Sequence, residues 1–246
     1  MDLTMNKPMI WLFDLDNTLH DASHLIFPKI TLNMNEFIGK LLGDGEAPAE
    51  PEVVNSVRLT YWKRYGATLL GMIKHHGVSQ EDFLRETHRF DDLTSMIRVE
   101  RGLGRFLARL TGRKILLTNA PEKYSKDVMR HLGLHRHFAK HIAIESMRVH
   151  GQLRPKPSKL MLRKLLAKEK IAPARCVLVE DTAVTLKAAK AVGMKTVLVT
   201  QYLGTHRKPN FDAANMRQPA YRNRPAYVDV KVQSVRQLSP RLNRLR

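Results

Sequence analysis

Residues 9–18, M-I-W-L-F-D-L-D-N-T, decide the fold, because an apolar run there ends abruptly in acidic and polar residues. A continuous apolar run is typical of a strand buried on both faces of a parallel sheet that helices cover on each side. Similar runs recur at residues 114–117, 142–144, 176–179 and 196–199. Helical patterns alternate with these runs, so the sequence predicts an α/β fold with a doubly wound, mostly parallel sheet.

The segment from residue 20 to 96 breaks this alternation. It contains helical patterns at residues 30–42, 51–65, 69–76 and 80–88 and no strand-like run. We therefore predict a helical cap domain at 20–96, inserted after the first strand, and a catalytic core formed by 1–19 and 97–246. Within the core, residues 201–226 are rich in Pro, Asn and Arg and predict an irregular basic loop, followed by a last strand at 227–232.

Composition restricts the class of protein. The chain has 246 residues, a formal net charge of +19 and a single cysteine, Cys176, which excludes an internal disulfide and a cysteine-rich zinc site. No apolar run approaches the roughly 20 residues that cross a bilayer, so we expect a cytoplasmic protein without a membrane partner. The positive charge favours anionic partners, which leaves both phosphorylated metabolites and nucleic acid open. Composition does not predict the oligomeric state.

Two acidic residues directly follow the first predicted strand. Asp14 and Asp16 are placed at its carboxyl end, where open α/β sheets bind their ligands. Two carboxylates this close can hold a divalent cation, or act separately as nucleophile and general acid/base. The alternative is a solvated turn in which Asn17 and Thr18 cap a helix.

Other strand ends add polar groups at the same edge. Thr118 and Asn119 offer hydroxyl, amide and backbone N–H groups to a phosphate; the alternative for either residue is a helix N-cap, which is usually the more frequent role. Glu180 and Asp181 add two carboxylates, and four converging acids predict a bound Mg²⁺. Lys156, in the stiff segment R-P-K-P, is a candidate to neutralise a phosphate or the carboxylates, while a solvent-facing lysine is the alternative.

These segments, D-L-D-N-T, L-L-T-N, R-P-K-P and V-L-V-E-D-T, resemble in order and approximate spacing the four motifs of the haloacid dehalogenase-like hydrolases. The resemblance covers most of residues 9–200 and implies a Rossmann-like core with a cap. It implies that Asp14 is the nucleophile, Asp16 the general acid/base, Thr118 a phosphate ligand and Lys156 the charge neutraliser. The implied cofactor is Mg²⁺, with Asp14, Asp16, Glu180 and Asp181 as the metal-binding set.

The same resemblance narrows the reaction. Haloacid dehalogenases lack an acid two residues after the nucleophile, whereas Asp16 is present here and can protonate the alkoxide that a phosphate ester releases. Residues 59–78 resemble the cap of pyrimidine 5′-nucleotidases, in which Trp62 and Tyr65 are candidates to contact the base; core packing is the alternative for both. His20 and His24 follow the first motif, and we interpret them as surface or hinge residues, with an approach to the substrate as the alternative.

The expected function is a Mg²⁺-dependent phosphatase that hydrolyses a nucleoside 5′-monophosphate, a pyrimidine one by resemblance, through an aspartyl-phosphate intermediate. A phosphatase for another small monoester, such as phosphoglycolate or a sugar phosphate, is the first alternative. The second is a basic nucleic-acid-binding protein on the same fold.

Overall fold

The computed structural model describes residues 8–203 and 223–245. These residues form two compact units, one made of residues 8–21, 98–203 and 223–245 and the other of Ala22–Ile97. Most of the predicted loop at 201–226 lies outside the described residues, because residues 204–222 are not among them. The role of residues 20–96 as a cap stays a prediction.

The first unit is built on one large parallel sheet. Its chain contains the strands β1 (Ile10–Phe13), β2 (Arg113–Leu117), β3 (Lys140–Ile142), β4 (Arg148–Val149), β5 (Gln152–Leu153), β6 (Cys176–Glu180), β7 (Lys195–Val199) and β8 (Val230–Val232). Six of them form a sheet in the order β3-β2-β1-β6-β7-β8, in which every neighbouring pair is parallel, while β4 and β5 form a separate antiparallel pair. The predicted doubly wound α/β fold is confirmed. The strand order changes direction between β1 and β6, which is where such sheets open a crevice for ligands.

Helices make up the remainder of the regular structure. They are α1 (Ile26–Leu42), α2 (Pro51–Tyr65), α3 (Thr68–His76), α4 (Gln80–Thr87), α5 (Leu93–Met96), α6 (Leu103–Arg109), α7 (Glu122–His131), α8 (Lys159–Lys168) and α9 (Ala183–Ala191). A 3₁₀-helical segment, Val235–Leu245, follows β8. None of the helices in the described ranges is long and apolar enough to cross a membrane.

The sheet is apolar on both faces, as the continuous strand sequences predict. Leu12 and Leu178, on adjacent strands, share one buried cluster with Leu162 of α8 and Leu186 of α9. Phe13, next to Leu12, points to the other face because strand side chains alternate, and its ring packs edge-on against Phe138 with centroids 5.8 Å apart. Both faces of β1 are therefore covered, and the strand lies in the interior of the unit.

One predicted strand differs in position from the observed one. The apolar run at 142–144 predicts a strand there, whereas β3 occupies Lys140–Ile142 and Ile144 begins a 3₁₀ turn. β3 is an edge strand that pairs only with β2. An edge strand needs no continuous apolar sequence, so hydrophobicity locates it less accurately than the central strands.

In the second unit, the helices are packed through close contacts. The ring of Tyr61 on α2 lies against Gly71 of α3, where a Cβ atom would come within 2.2 Å of the ring. Phe37 of α1 and Phe83 of α4 pack edge-to-face with ring centroids 5.4 Å apart. The unit therefore has packing contacts of its own.

Candidate active site

The carboxyl ends of β1 and β6 bring three acidic residues together. The two strands pair in parallel with Phe13 opposite Val179, and the Asp14 N–H donates to the Val179 carbonyl at 3.0 Å. Asp14 and Glu180 are the next residues along the two chains, so the register itself places them side by side. Asp181 follows immediately, and one carboxylate oxygen from each of the three residues lies within 4.8 Å of the others.

Lys156 lies within this carboxylate cluster, Asp14, Glu180 and Asp181. Its Nζ donates to Asp14 Oδ1 and to Glu180 Oε2, each at 2.7 Å, and the residue is only 4% exposed. Burial lowers the pKa of Lys156, but the negative charges of Asp14 and Glu180 together outweigh burial and raise it above its ordinary value. Lys156 is therefore a permanently charged group that fixes two carboxylates.

The single positive charge of Lys156 does not neutralise the negative charge of the carboxylate cluster. Burial, followed by the charge of Glu180, raises the pKa of Asp14 to about 7 despite the opposing effect of Lys156. Burial and the charges of Glu180 and Asp14 also raise the pKa of Asp181. Excess negative charge at a site made of oxygen donors fits a hard divalent cation such as Mg²⁺, which would restore ionised carboxylates.

Asp16 lies outside the carboxylate cluster. Its Oδ1 instead accepts hydrogen bonds from the Tyr124 hydroxyl at 2.7 Å and from His20 Nε2 at 2.8 Å. The left-handed conformation of Asn17, at φ 58°, allows the turn that returns His20 to Asp16 four residues later. The sequence predicted a surface or hinge position for His20; its side chain is completely buried, which contradicts a surface position.

Asn119 acts on Lys156 through the backbone. Its Nδ2 donates to the Lys156 carbonyl at 2.9 Å, and its Oδ1 accepts from the Lys156 N–H at 3.0 Å. Both polar groups of the side chain therefore hold the segment that carries the ammonium group. Thr118 is buried, and its hydroxyl oxygen accepts from the Ala120 N–H at 3.0 Å. Thr18 donates to Asp14 Oδ2 at 3.0 Å, so both oxygens of Asp14 are hydrogen-bonded.

Trp62 and Tyr65 belong to the second unit. The Tyr65 hydroxyl pairs with His75 Nε2 at 2.6 Å, and Arg64 and Lys74 place cations about the ring, 5.5 and 5.3 Å from its centroid. Tyr65 thus makes several contacts within the α2–α3 pair. Trp62, also on α2, is half-buried.

The sequence missed two groups of the site, His20 and Tyr124. Tyr124 lies on α7 in a helical pattern of apolar and aromatic residues with Val128 and Leu132, and it is only 3% exposed. Burial and the charge of Asp16 raise its pKa well above the ordinary value, so its hydroxyl stays protonated as a donor. The one available signal in the sequence was that this aromatic residue is a tyrosine, because a buried tyrosine hydroxyl usually needs a hydrogen-bond partner.

Comparison with known proteins identifies a family and a shared fold. The family model for haloacid dehalogenase-like hydrolases matches residues 9–193. A HAD phosphatase from Thermococcus onnurineus is similar in structure, with a TM-score of 0.59, 16% identity and coverage of 95% of this chain and 97% of that one. L-2-haloacid dehalogenase from Xanthobacter autotrophicus, with chloropropionic acid covalently bound, has a TM-score of 0.55 at 18% identity, covering 96% and 98%. A HAD-hydrolase from Bacillus subtilis bound to magnesium has a TM-score of 0.55 at 13% identity, covering 96% and 99%.

Proposed function

The chain belongs to the haloacid dehalogenase-like hydrolases, and we propose that it is a Mg²⁺-dependent phosphatase whose substrate is a nucleoside 5′-monophosphate. The observation that carries the choice of phosphatase is Asp16, a carboxyl group hydrogen-bonded at the site two residues beyond Asp14. The alkoxide released from a phosphate ester needs a proton, whereas a halide leaves without one. A similar fold serves a phosphatase and a dehalogenase, so this residue is the discriminating feature.

In the proposed reaction, a carboxylate oxygen of Asp14 attacks phosphorus. The bond between phosphorus and the ester oxygen breaks, and Asp16 transfers its proton to that oxygen. Water then attacks the aspartyl phosphate while Asp16 accepts a proton from it. Inorganic phosphate leaves, and the Asp14 carboxylate is restored.

Lys156 keeps the nucleophile ionised and oriented. The raised pKa of Asp14, about 7, means that the carboxylate needs positive charge nearby to remain a nucleophile at neutral pH. Asp14, Glu180 and Asp181 would hold Mg²⁺, which when bound supplies positive charge against the phosphate oxygens. We propose different roles for Thr118 and Asn119. Thr118 is a phosphate ligand. Asn119 was also proposed from the sequence to bind substrate, but both polar groups of its side chain are hydrogen-bonded to the Lys156 backbone.

The nucleotide specificity rests on the resemblance of residues 59–78 to the cap of pyrimidine 5′-nucleotidases. Of the two aromatic candidates, we favour Trp62 as the residue that stacks on the base. Tyr65 already uses its hydroxyl on His75 and its ring with two cations. An indole offers a larger flat apolar surface for a pyrimidine.

A panel of phosphate esters tests the function, with phosphate release as the readout. It contains pyrimidine and purine nucleoside 5′-monophosphates, phosphoglycolate, sugar phosphates and p-nitrophenyl phosphate. We expect pyrimidine nucleotides to have the highest kcat/KM, and a preference for phosphoglycolate or a sugar phosphate would refute the nucleotide proposal. Asp14→Asn should abolish turnover of every ester, because an amide is a poor nucleophile. Asp127→Asn, a surface change in the same unit at a carboxylate 39% exposed, is the matched control and should leave activity unchanged.

A further inference from the structure

Two buried side chains converge on the same oxygen of Asp16. Tyr124 approaches from α7, 108 residues away in the sequence, and His20 approaches from the turn that follows β1. Tyr124 is 3% exposed and His20 is fully buried, so neither contact is an incidental surface pairing. Hydrogen bonds to an ionised acceptor are stronger than those between neutral groups, and two of them fix a carboxylate in orientation as well as position.

The surroundings of His20 indicate which of its ring nitrogens donates. Its Nδ1 is buried and has no hydrogen-bond partner in the described parts of the chain. A proton on Nδ1 would be a buried N–H without an acceptor in the described residues, which is unfavourable. A carboxylate oxygen can only accept, so the proton of this contact is on Nε2, which donates to Asp16 Oδ1. Both His20 and Tyr124 are therefore donors, and both act on Oδ1.

We propose that His20 and Tyr124 are positioning residues that bind Oδ1 of Asp16 and leave Oδ2 as the oxygen that exchanges protons with the leaving group and with water. This inference rests on the proposed function, since it requires Asp16 to be the general acid/base. Within the described ranges, both hydrogen bonds that the Asp16 carboxylate accepts are accepted by Oδ1. The Asp16 side chain is 15% exposed. The two donors thus hold Oδ1 of a side chain that remains partly exposed.

The leaving group provides a readout that a merely structural role would not change. An alkyl phosphate, such as a nucleoside 5′-monophosphate, releases a basic alkoxide and depends on proton donation. p-Nitrophenyl phosphate releases a stable phenolate and depends on it far less. Because kcat/KM covers the steps through the first phosphoryl transfer, misplacing Asp16 should lower kcat/KM selectively for the alkyl ester.

The principal variant is Tyr124→Phe, which removes one hydroxyl and retains the buried ring. We expect kcat/KM for the nucleotide to fall about tenfold and that for p-nitrophenyl phosphate to change less than about twofold, as general acid catalysis contributes roughly 10² to 10⁴ in full. Tyr227→Phe is the matched control, since Tyr227 is a partly buried tyrosine of the same unit that packs against the core. It should leave both esters unaffected.

Variants of His20 provide an independent test of the same idea. His20→Leu removes the donor and should reproduce the selective loss, whereas His20→Gln retains an N–H donor and should recover most of the nucleotide activity. In the Asp16→Asn background, Tyr124→Phe should cause no further loss, because the hydroxyl acts through the carboxyl group that is absent. If His20→Leu fails to fold, Tyr124→Phe alone decides the outcome.

Distinct results separate the two proposals. If Asp16→Asn lowers kcat/KM equally for both esters, the general-acid role fails and the positioning inference fails with it. If Asp16→Asn is selective for the nucleotide but Tyr124→Phe is not, the proposed function stands and the positioning inference is refuted. A further loss from Tyr124→Phe in the Asp16→Asn background would also refute it.

Discussion

Replacing Lys156 by Met removes the ammonium group that contacts Asp14 and Glu180, each at 2.7 Å, and keeps a flexible apolar stem of similar length. The remaining carboxylate cluster is almost completely buried. Removing one partner of a buried ion pair leaves uncompensated charge and costs about 3–5 kcal/mol. For a chain of this size, 1 kcal/mol changes Tm by roughly 2–4 °C, so we expect Tm to fall by roughly 6–20 °C.

The loss should depend on pH in a defined direction. Lys156 lowers the pKa of Asp14, which nevertheless is raised to about 7, so in the variant this pKa rises further. A carboxyl group with a raised folded-state pKa contributes stability that is fully present below its unfolded-state pKa. That contribution is lost as the pH rises through the folded-state pKa. The destabilisation should therefore be largest near pH 8 and become small toward pH 4, where Asp14 and Asp181, whose pKa values are raised, are protonated.

The assay is thermal unfolding followed by circular dichroism between about pH 4 and 8, in EDTA to remove divalent cations. Lys187→Met is the matched control, because Lys187 is an exposed residue of α9 in the same unit, and its Tm should change little at any pH. Adding Mg²⁺ should recover part of the lost stability in the Lys156 variant by supplying positive charge to the same oxygens. An equal loss of Tm at pH 8 and pH 4 would refute the electrostatic reasoning and leave only lost packing as the cause.

Three further changes test the site and its specificity. Asp181→Ala should raise the Mg²⁺ concentration needed for half-maximal activity by at least about tenfold, and EDTA should inactivate the wild type reversibly; full activity in excess EDTA would exclude the metal. Asn119→Ala removes two hydrogen bonds to the Lys156 backbone, so kcat should fall for every ester, with a stability loss of about 1–3 kcal/mol measured in urea. Unchanged kinetics would contradict that positioning role. Trp62→Leu should lower kcat/KM for nucleotides far more than for p-nitrophenyl phosphate, whereas Tyr65→Leu should lower Tm. The reverse pattern would indicate that Tyr65 contacts the base and that Trp62 stabilises the fold.

The amino-acid sequence by itself determined the sheet and the edge at which the site forms. Continuous apolar runs such as 9–13 and 176–179 predict central strands because a strand covered on both faces has little room for polar side chains. Once those strands are parallel and adjacent, the residues that follow them must meet, so Asp14, Glu180 and Asp181 were predictable together. The edge strand β3 was misplaced because it escapes this constraint.

Only the tertiary structure decided how the polar side chains pair. Hydrophobic periodicity placed Tyr124 in the core but carries no information about which atom its hydroxyl reaches, 108 residues away at Asp16. The pattern also gave no sign that His20 returns to Asp16, or that Asn119 bonds the Lys156 backbone. Hydrogen bonds are short and directional, so their partners depend on how whole elements pack against one another. Burial of apolar surface is non-directional, and the hydrophobic pattern of the sequence is therefore enough to predict it.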